Sequence, residues 1–209
     1  MISPDLPPLS YATRDMTLKR EKAKDCLKIV FLSRISKMKN LCGALEMLNG
    51  LKGQIQFNIY GPIEDKAYWM ECQKIISNLS DNITVQYCGN IVHDRVTDVM
   101  GEHDLFFLPT LGENFGHVIL EALCSGCPVL ISDRTPWRSL EGKGIGWDIT
   151  LDRPEMFRKV IQTCIDMDSV EHKKWSERAR EYGLQVTKDE KTVEKNRLLF
   201  QRAIDTINN

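Results

Sequence analysis

The chain has no long hydrophobic run. Its apolar stretches are a few residues each, far short of the roughly 20 residues a membrane-spanning helix needs. It has no excess of either charge: 28 lysines and arginines stand against 29 aspartates and glutamates, for a net charge of −1. No global field would draw it to nucleic acid or to an anionic membrane. The first residues show no basic stretch followed by an apolar one, which predicts no secretory export. The seven cysteines are odd in number and scattered, which favours reduced thiols in a cytoplasmic protein over a disulfide scaffold. Histidines are few, and His93, His103 and His172 lack the spacing of metal ligands. Internal repeats and low-complexity segments are absent, which excludes a solenoid.

What is present is an alternation. The 209 residues, 42% hydrophobic and 27% charged, have the length and composition of one globular domain. Residues 1–26, with Pro4, Pro7 and Pro8, read as a linker or tail, and residues 27–209 as the domain. Strands are predicted at 27–32, 54–60, 83–87, 105–108 and 128–131, with an edge strand at 144–149. Helices are predicted from 41 to near Gly50 and Gly53 (capped by Asn40, with Leu41, Ala44, Leu45 and Leu48 apolar), at 67–79, 94–103 and 116–125, and then at 154–167, 170–182 and 189–207. Trp69, Met70, Ile75, Ile76 and Leu79 are the candidates for burial on the second helix. Strands alternating with helices imply an α/β fold, a doubly wound parallel sheet with helices on both faces. Ligands in that class bind outside the carboxyl ends of the strands. The turns to read are therefore 33–39, 61–63, 89–93, 109–116 and 132–137.

The segment Leu108-Pro109-Thr110-Leu111-Gly112-Glu113-Asn114-Phe115-Gly116-His117 leads from a buried strand into a helix with Val118, Ile119, Ala122 and Leu123 on one face. A helix start of this kind offers free N–H groups to an anion. Here they belong to Phe115, Gly116 and His117, and Gly116 permits close backbone approach. Glu113 and Glu121 are separated by seven residues. Glu121, one turn into the helix among apolar neighbours, suits the adjacent hydroxyls of a ribose. Glu113 is either a ligand to substrate or a loop carboxylate favoured by the helix dipole. Arg34 and Lys39 follow the first strand, five residues apart. Together they could neutralise a diphosphate, or they form a solvated basic loop with Lys37.

With Gly89 after the third strand and Gly126-Cys127-Pro128-Val129 after the helix, these residues resemble the glycosyltransferase group 1 family, also called family 4. Its members are retaining enzymes of the GT-B fold, and the likeness is to their C-terminal, nucleotide-sugar-binding domain, from about residue 27 to 205. The resemblance implies that Arg34 and Lys39 hold the donor diphosphate and that Glu121 binds the ribose. It places Glu113 on the donor sugar, with the amides of Asn114, Phe115 and Gly116 near sugar and phosphate. His117, read from its place at the helix start, either approaches the donor phosphate or is a packed or exposed histidine. The resemblance puts the backbone of Gly89, Asn90 and Ile91 against the base and Gly61 near the diphosphate. No metal and no cofactor is implied; the UDP- or GDP-sugar is a substrate. Asp133-Arg134-Thr135-Pro136-Trp137 looks like members that build bacterial capsular or surface polysaccharide. Two departures concern the diphosphate region. Ser33 stands where many members have glycine, and a Gly-x-Gly after the second strand is reduced to Gly61-Pro62.

Such an enzyme also has an N-terminal domain for its glycan or lipid-linked acceptor, and residues 1–26 cannot supply it. The expectation is therefore half of a transferase, inactive alone, with at most peripheral membrane contact by the full-length enzyme. The alternative is a non-catalytic subunit that works with a partner chain. Asp166-Met167-Asp168 at a helix end is not expected to bind metal, and Cys124-Ser125-Gly126-Cys127 is expected to be structural. A glycosidase pair made of Glu113 and Glu121 conflicts with a ribose role for Glu121.

Overall fold

The computed structural model describes residues 21–188. The expected tail up to residue 20 and the expected final helix at 189–207 lie outside the described residues. Six strands form one parallel sheet: β1 (Cys26–Leu32), β2 (Gln54–Tyr60), β3 (Ile83–Gly89), β4 (Leu105–Leu108), β5 (Val129–Ser132) and β6 (Gly146–Ile149). Their order is β3-β2-β1-β4-β5-β6. The helices are α1 (Leu41–Glu46), α2 (Lys66–Ile76), α3 (His93–Gly101), α4 (His117–Cys124), α5 (Leu140–Lys143), α6 (Pro154–Asp166) and α7 (Ser169–Lys188). This is the expected α/β, Rossmann-like doubly wound fold, with helices on both faces of the sheet.

The core lies in the middle of the sheet, because parallel strands covered on both faces must be apolar throughout. All four residues of β4 and all four of β5 are buried. The order reverses direction between β1 and β4, which pair through Ile29 with Leu105 and Val30 with Phe106. In this fold class ligands bind at such a switch point, outside the carboxyl ends of the two strands, where the loops that leave them meet. Here they are the loops after Leu32 and after Leu108.

Several local expectations change. Asn40 does not cap α1 with its side chain. It sits in the left-handed region, φ 56°, and its amide donates to the Pro109 carbonyl at 2.9 Å. On α2, Met70 is exposed, while Tyr68 and Cys72 face inward; the Tyr68 hydroxyl accepts from the Cys42 N–H. Helix α7 runs on to Lys188 without the break expected near 182. Helix α4 is buried nearly all round, from Ile119 through Cys124, because it is enclosed by β5, α3 and α7.

Candidate functional site

Both loops at the switch point are held by their own hydrogen bonds. After β1, Ser33 N–H donates to the Tyr60 carbonyl and Ile35 N–H to the Pro62 carbonyl, so the chain continues beside the end of β2. Gly61 makes this possible. Its φ is 126°, and a Cβ there would stand 2.0 Å from the Ser33 carbonyl oxygen. Gly61 N–H in turn donates to the Gly89 carbonyl at 2.9 Å, and Gly89 has φ 75°. The reduced Gly61-Pro62 motif therefore retains the glycine that the close approach requires.

After β4, Thr110 is fully buried, and its hydroxyl donates towards the carbonyls of Met38 and Gly112. Leu111 N–H also donates to the Met38 carbonyl, at 2.8 Å. The loops after β1 and β4 are thus sewn together along Met38, Asn40, Pro109, Thr110 and Leu111. Above this seam Lys39 Nζ lies 2.6 Å from Glu113 Oε2, with side chains only 11% and 17% exposed. The structure therefore brings these two sequence-predicted residues into direct contact.

Gly116 precedes α4 with φ 77°. A Cβ there would come within 2.7 Å of Ile119 Cδ1 and 3.1 Å of Glu113 Cγ, so the glycine leaves room for the glutamate. Asn114 is exposed on the turn. Phe115 and His117 pack ring to ring, with centroids 4.7 Å apart. One turn further, Glu121 is buried, and its Oε1 lies 3.5 Å from His93 Nδ1. His93 opens α3, directly after the loop that carries Asn90 and Ile91. Arg34 lies apart from the Lys39–Glu113 pair. It is well exposed and pairs with Glu64 at 2.8 Å.

Sequence reasoning missed the parts played here by Trp137, His93 and Glu64. Trp137 is buried, donates its indole N–H to the Phe115 carbonyl at 2.7 Å and packs edge-on against the Phe115 ring. With Glu113 N–H donating to the Arg134 carbonyl, the loop after β5 holds the loop after β4 at two points. A buried indole needs an acceptor, which is the one signal that could have pointed to Trp137. His93 and Glu64 carry no such signal.

The residues of the competing motifs have partners within the fold. Asp168 Oδ1 accepts from Glu171 N–H at the start of α7, and Asp166 Oδ1 accepts from Gln162. Among the described residues no group of three His, Cys, Asp or Glu could hold a metal ion. All seven cysteines are free. Burial pushes the Cys124 thiol up to about 12 and the Cys127 thiol well above its ordinary value, the opposite of a reactive thiolate. Glu113 and Glu121 have different neighbours, the Lys39 ammonium and the His93 imidazole.

The sequence of this chain matches the family model Glycosyl transferases group 1 over residues 14–182. The chain belongs to this family. The chain is similar to the phosphatidylinositol N-acetylglucosaminyltransferase GPI3 subunit of Saccharomyces cerevisiae, 26% identical over 126 residues. That match covers 58% of this chain and 27% of the yeast protein. Among solved structures, a glycosyltransferase from Rickettsia africae superposes with a TM-score of 0.73 at 20% identity. HepE of Anabaena, in complex with UDP and glucose, superposes with a TM-score of 0.71 at 20% identity. Each of these two alignments covers 87% of this chain and 49% of the other. The chain thus spans about a quarter of the yeast relative and about half of these structures, whose likeness establishes the GT-B type of fold. No helix among the described residues is long and apolar enough to cross a membrane.

Proposed function

We propose that this chain is the nucleotide-sugar donor-binding part of a retaining glycosyltransferase, which moves a hexosyl group from a nucleoside diphosphate sugar to a glycan or lipid-linked acceptor. The observation that carries the reading is the Lys39–Glu113 contact across the switch point, next to the α4 N-terminus and the buried Glu121. A diphosphate there meets the Lys39 ammonium and the amides at the start of α4, with Arg34 at the rim. Negative charge develops on the departing diphosphate as the sugar bond breaks. Fixed cations and N–H dipoles stabilise it without reorganising. Glu113 then contacts the sugar, Glu121 the ribose, and the backbone at Gly89, Asn90 and Ile91 the base.

HepE was solved with UDP and glucose, which supports a uridine donor. The yeast relative's name supports a lipid-linked acceptor. The acceptor side of the active site comes from a second domain beyond the described residues, a reading supported by relatives about twice as long. That yeast relative is named as a subunit, which supports a second reading: a binding chain that works only with a partner. In both, the site acts in the cytoplasm, in keeping with seven free thiols.

Calorimetric titration of the folded chain with UDP, GDP and ADP tests the donor-binding claim. Binding of one of them at micromolar to millimolar strength is the expected result. No heat with any of the three overturns it.

A further inference from the structure

We propose that His93 is a positioning residue for Glu121, and that the pair sets selectivity for a ribonucleotide over its 2′-deoxy counterpart. The proposal rests on the donor-site reading above. Glu121 projects from α4 and His93 from the first position of α3, two helices that pack on one another. The imidazole Nδ1 stands 3.5 Å from Glu121 Oε1. The two differ in exposure: the His93 side chain is 55% exposed and the Glu121 side chain 10%. An exposed imidazole thus stands beside a buried carboxylate.

Geometry gives this contact a purpose. A ribose offers two adjacent hydroxyls, and one carboxylate accepts from both only when its plane faces them. A glutamate has free torsions up to its last bond, and fixing them on binding costs entropy. A second partner that fixes the carboxylate plane beforehand removes that cost and sharpens the geometry. His93 also directly follows the loop of Gly89, Asn90 and Ile91, where the base would lie. It thus links the part of the site that meets the base to the part that meets the ribose.

The test is calorimetric titration of the wild-type chain, His93→Ala and His93→Gln. The ligands are whichever of UDP, GDP and ADP binds and the matching 2′-deoxynucleoside diphosphate. The wild type is expected to favour the ribonucleotide by about tenfold or more, the size of one charged hydrogen bond left unmade in a buried site. His93→Ala is expected to shrink that ratio several-fold, with affinity for the deoxy ligand little changed. His93→Gln, which keeps a donor, is expected to restore part of it. Because the ring is more than half exposed, both variants should keep the wild-type melting temperature. A ratio in His93→Ala equal to that of the wild type overturns the proposal alone. Absence of any nucleotide binding by folded wild type overturns the donor reading and this inference together.

Discussion

Lys39 and Glu113 meet Nζ to Oε2 at 2.6 Å, across the point where the sheet reverses its strand order. The ammonium is thus held where a diphosphate would need it, but by a carboxylate that must share it when phosphate arrives. On the proposed donor-site reading, Lys39→Met removes a charge-assisted hydrogen bond to phosphate and should weaken UDP binding by about 1.5–3 kcal/mol. Glu113→Gln leaves the ammonium to the phosphate and should hold or tighten UDP binding. Titration calorimetry separates the two. A parallel loss in both variants would mean that the pair serves only to join the loops.

Glu121 is the other fixed point of the site. Nearly all the residues around it on α4 are buried apolar ones, so a carboxylate here needs a polar role. Glu121→Ala keeps a good helix former in place and removes the acceptor. Nucleotide affinity should fall by about 1–3 kcal/mol. An unchanged affinity would place Glu121 outside the site.

The sequence made the frame of this molecule readable and hid its contacts. Apolar runs such as Leu105–Leu108 located the strands closely, because a parallel strand covered on both faces has little choice of residue. Helix α4 looked one-faced only because its cover by α3 and α7 is a tertiary fact. The motif spacings placed Arg34, Lys39, Glu113 and Glu121 on the loops and helix at the carboxyl ends of the strands. They could not show that Lys39 reaches Glu113, 74 residues away, while Arg34 turns aside to Glu64. Trp137 stayed hidden for the same reason: its partner is the backbone of Phe115, and backbone carbonyls leave no trace in a sequence.

Gly61 tests how the Arg34 loop is held. With φ 126° and the Ser33 carbonyl 2.0 Å from any Cβ, Gly61→Ala meets both backbone strain and a clash. Ser33 cannot simply withdraw, since its N–H is bonded to the Tyr60 carbonyl at 3.1 Å. The expected cost is about 1–3 kcal/mol or more, read by urea unfolding. Gly89→Ala is the control. A Cβ at Gly89 meets nothing within 4 Å, so only the strain of its positive φ remains and the loss should be smaller.

His103 gives a pH dependence with a definite sign. It is buried, its Nδ1 lies 2.6 Å from the Val99 carbonyl, and its Nε2 lies 3.0 Å from the Asn58 amide nitrogen. Nδ1 must donate to the carbonyl, so Nε2 carries the lone pair and accepts from Asn58, which makes the ring neutral. Burial lowers its pKa below the ordinary 6.5. In the unfolded chain the ring takes up a proton as pH falls through about 6.5, whereas in the folded chain it resists. Protons then favour unfolding, so the contribution of the neutral ring to stability is complete above that pH and declines below it. His103→Gln cannot titrate. The stability advantage of wild type over His103→Gln should therefore be largest near pH 8 and should shrink between about pH 6.5 and 5, measured by urea unfolding at each pH. An advantage that stays constant across that range would mean that the ring is not held neutral by its burial.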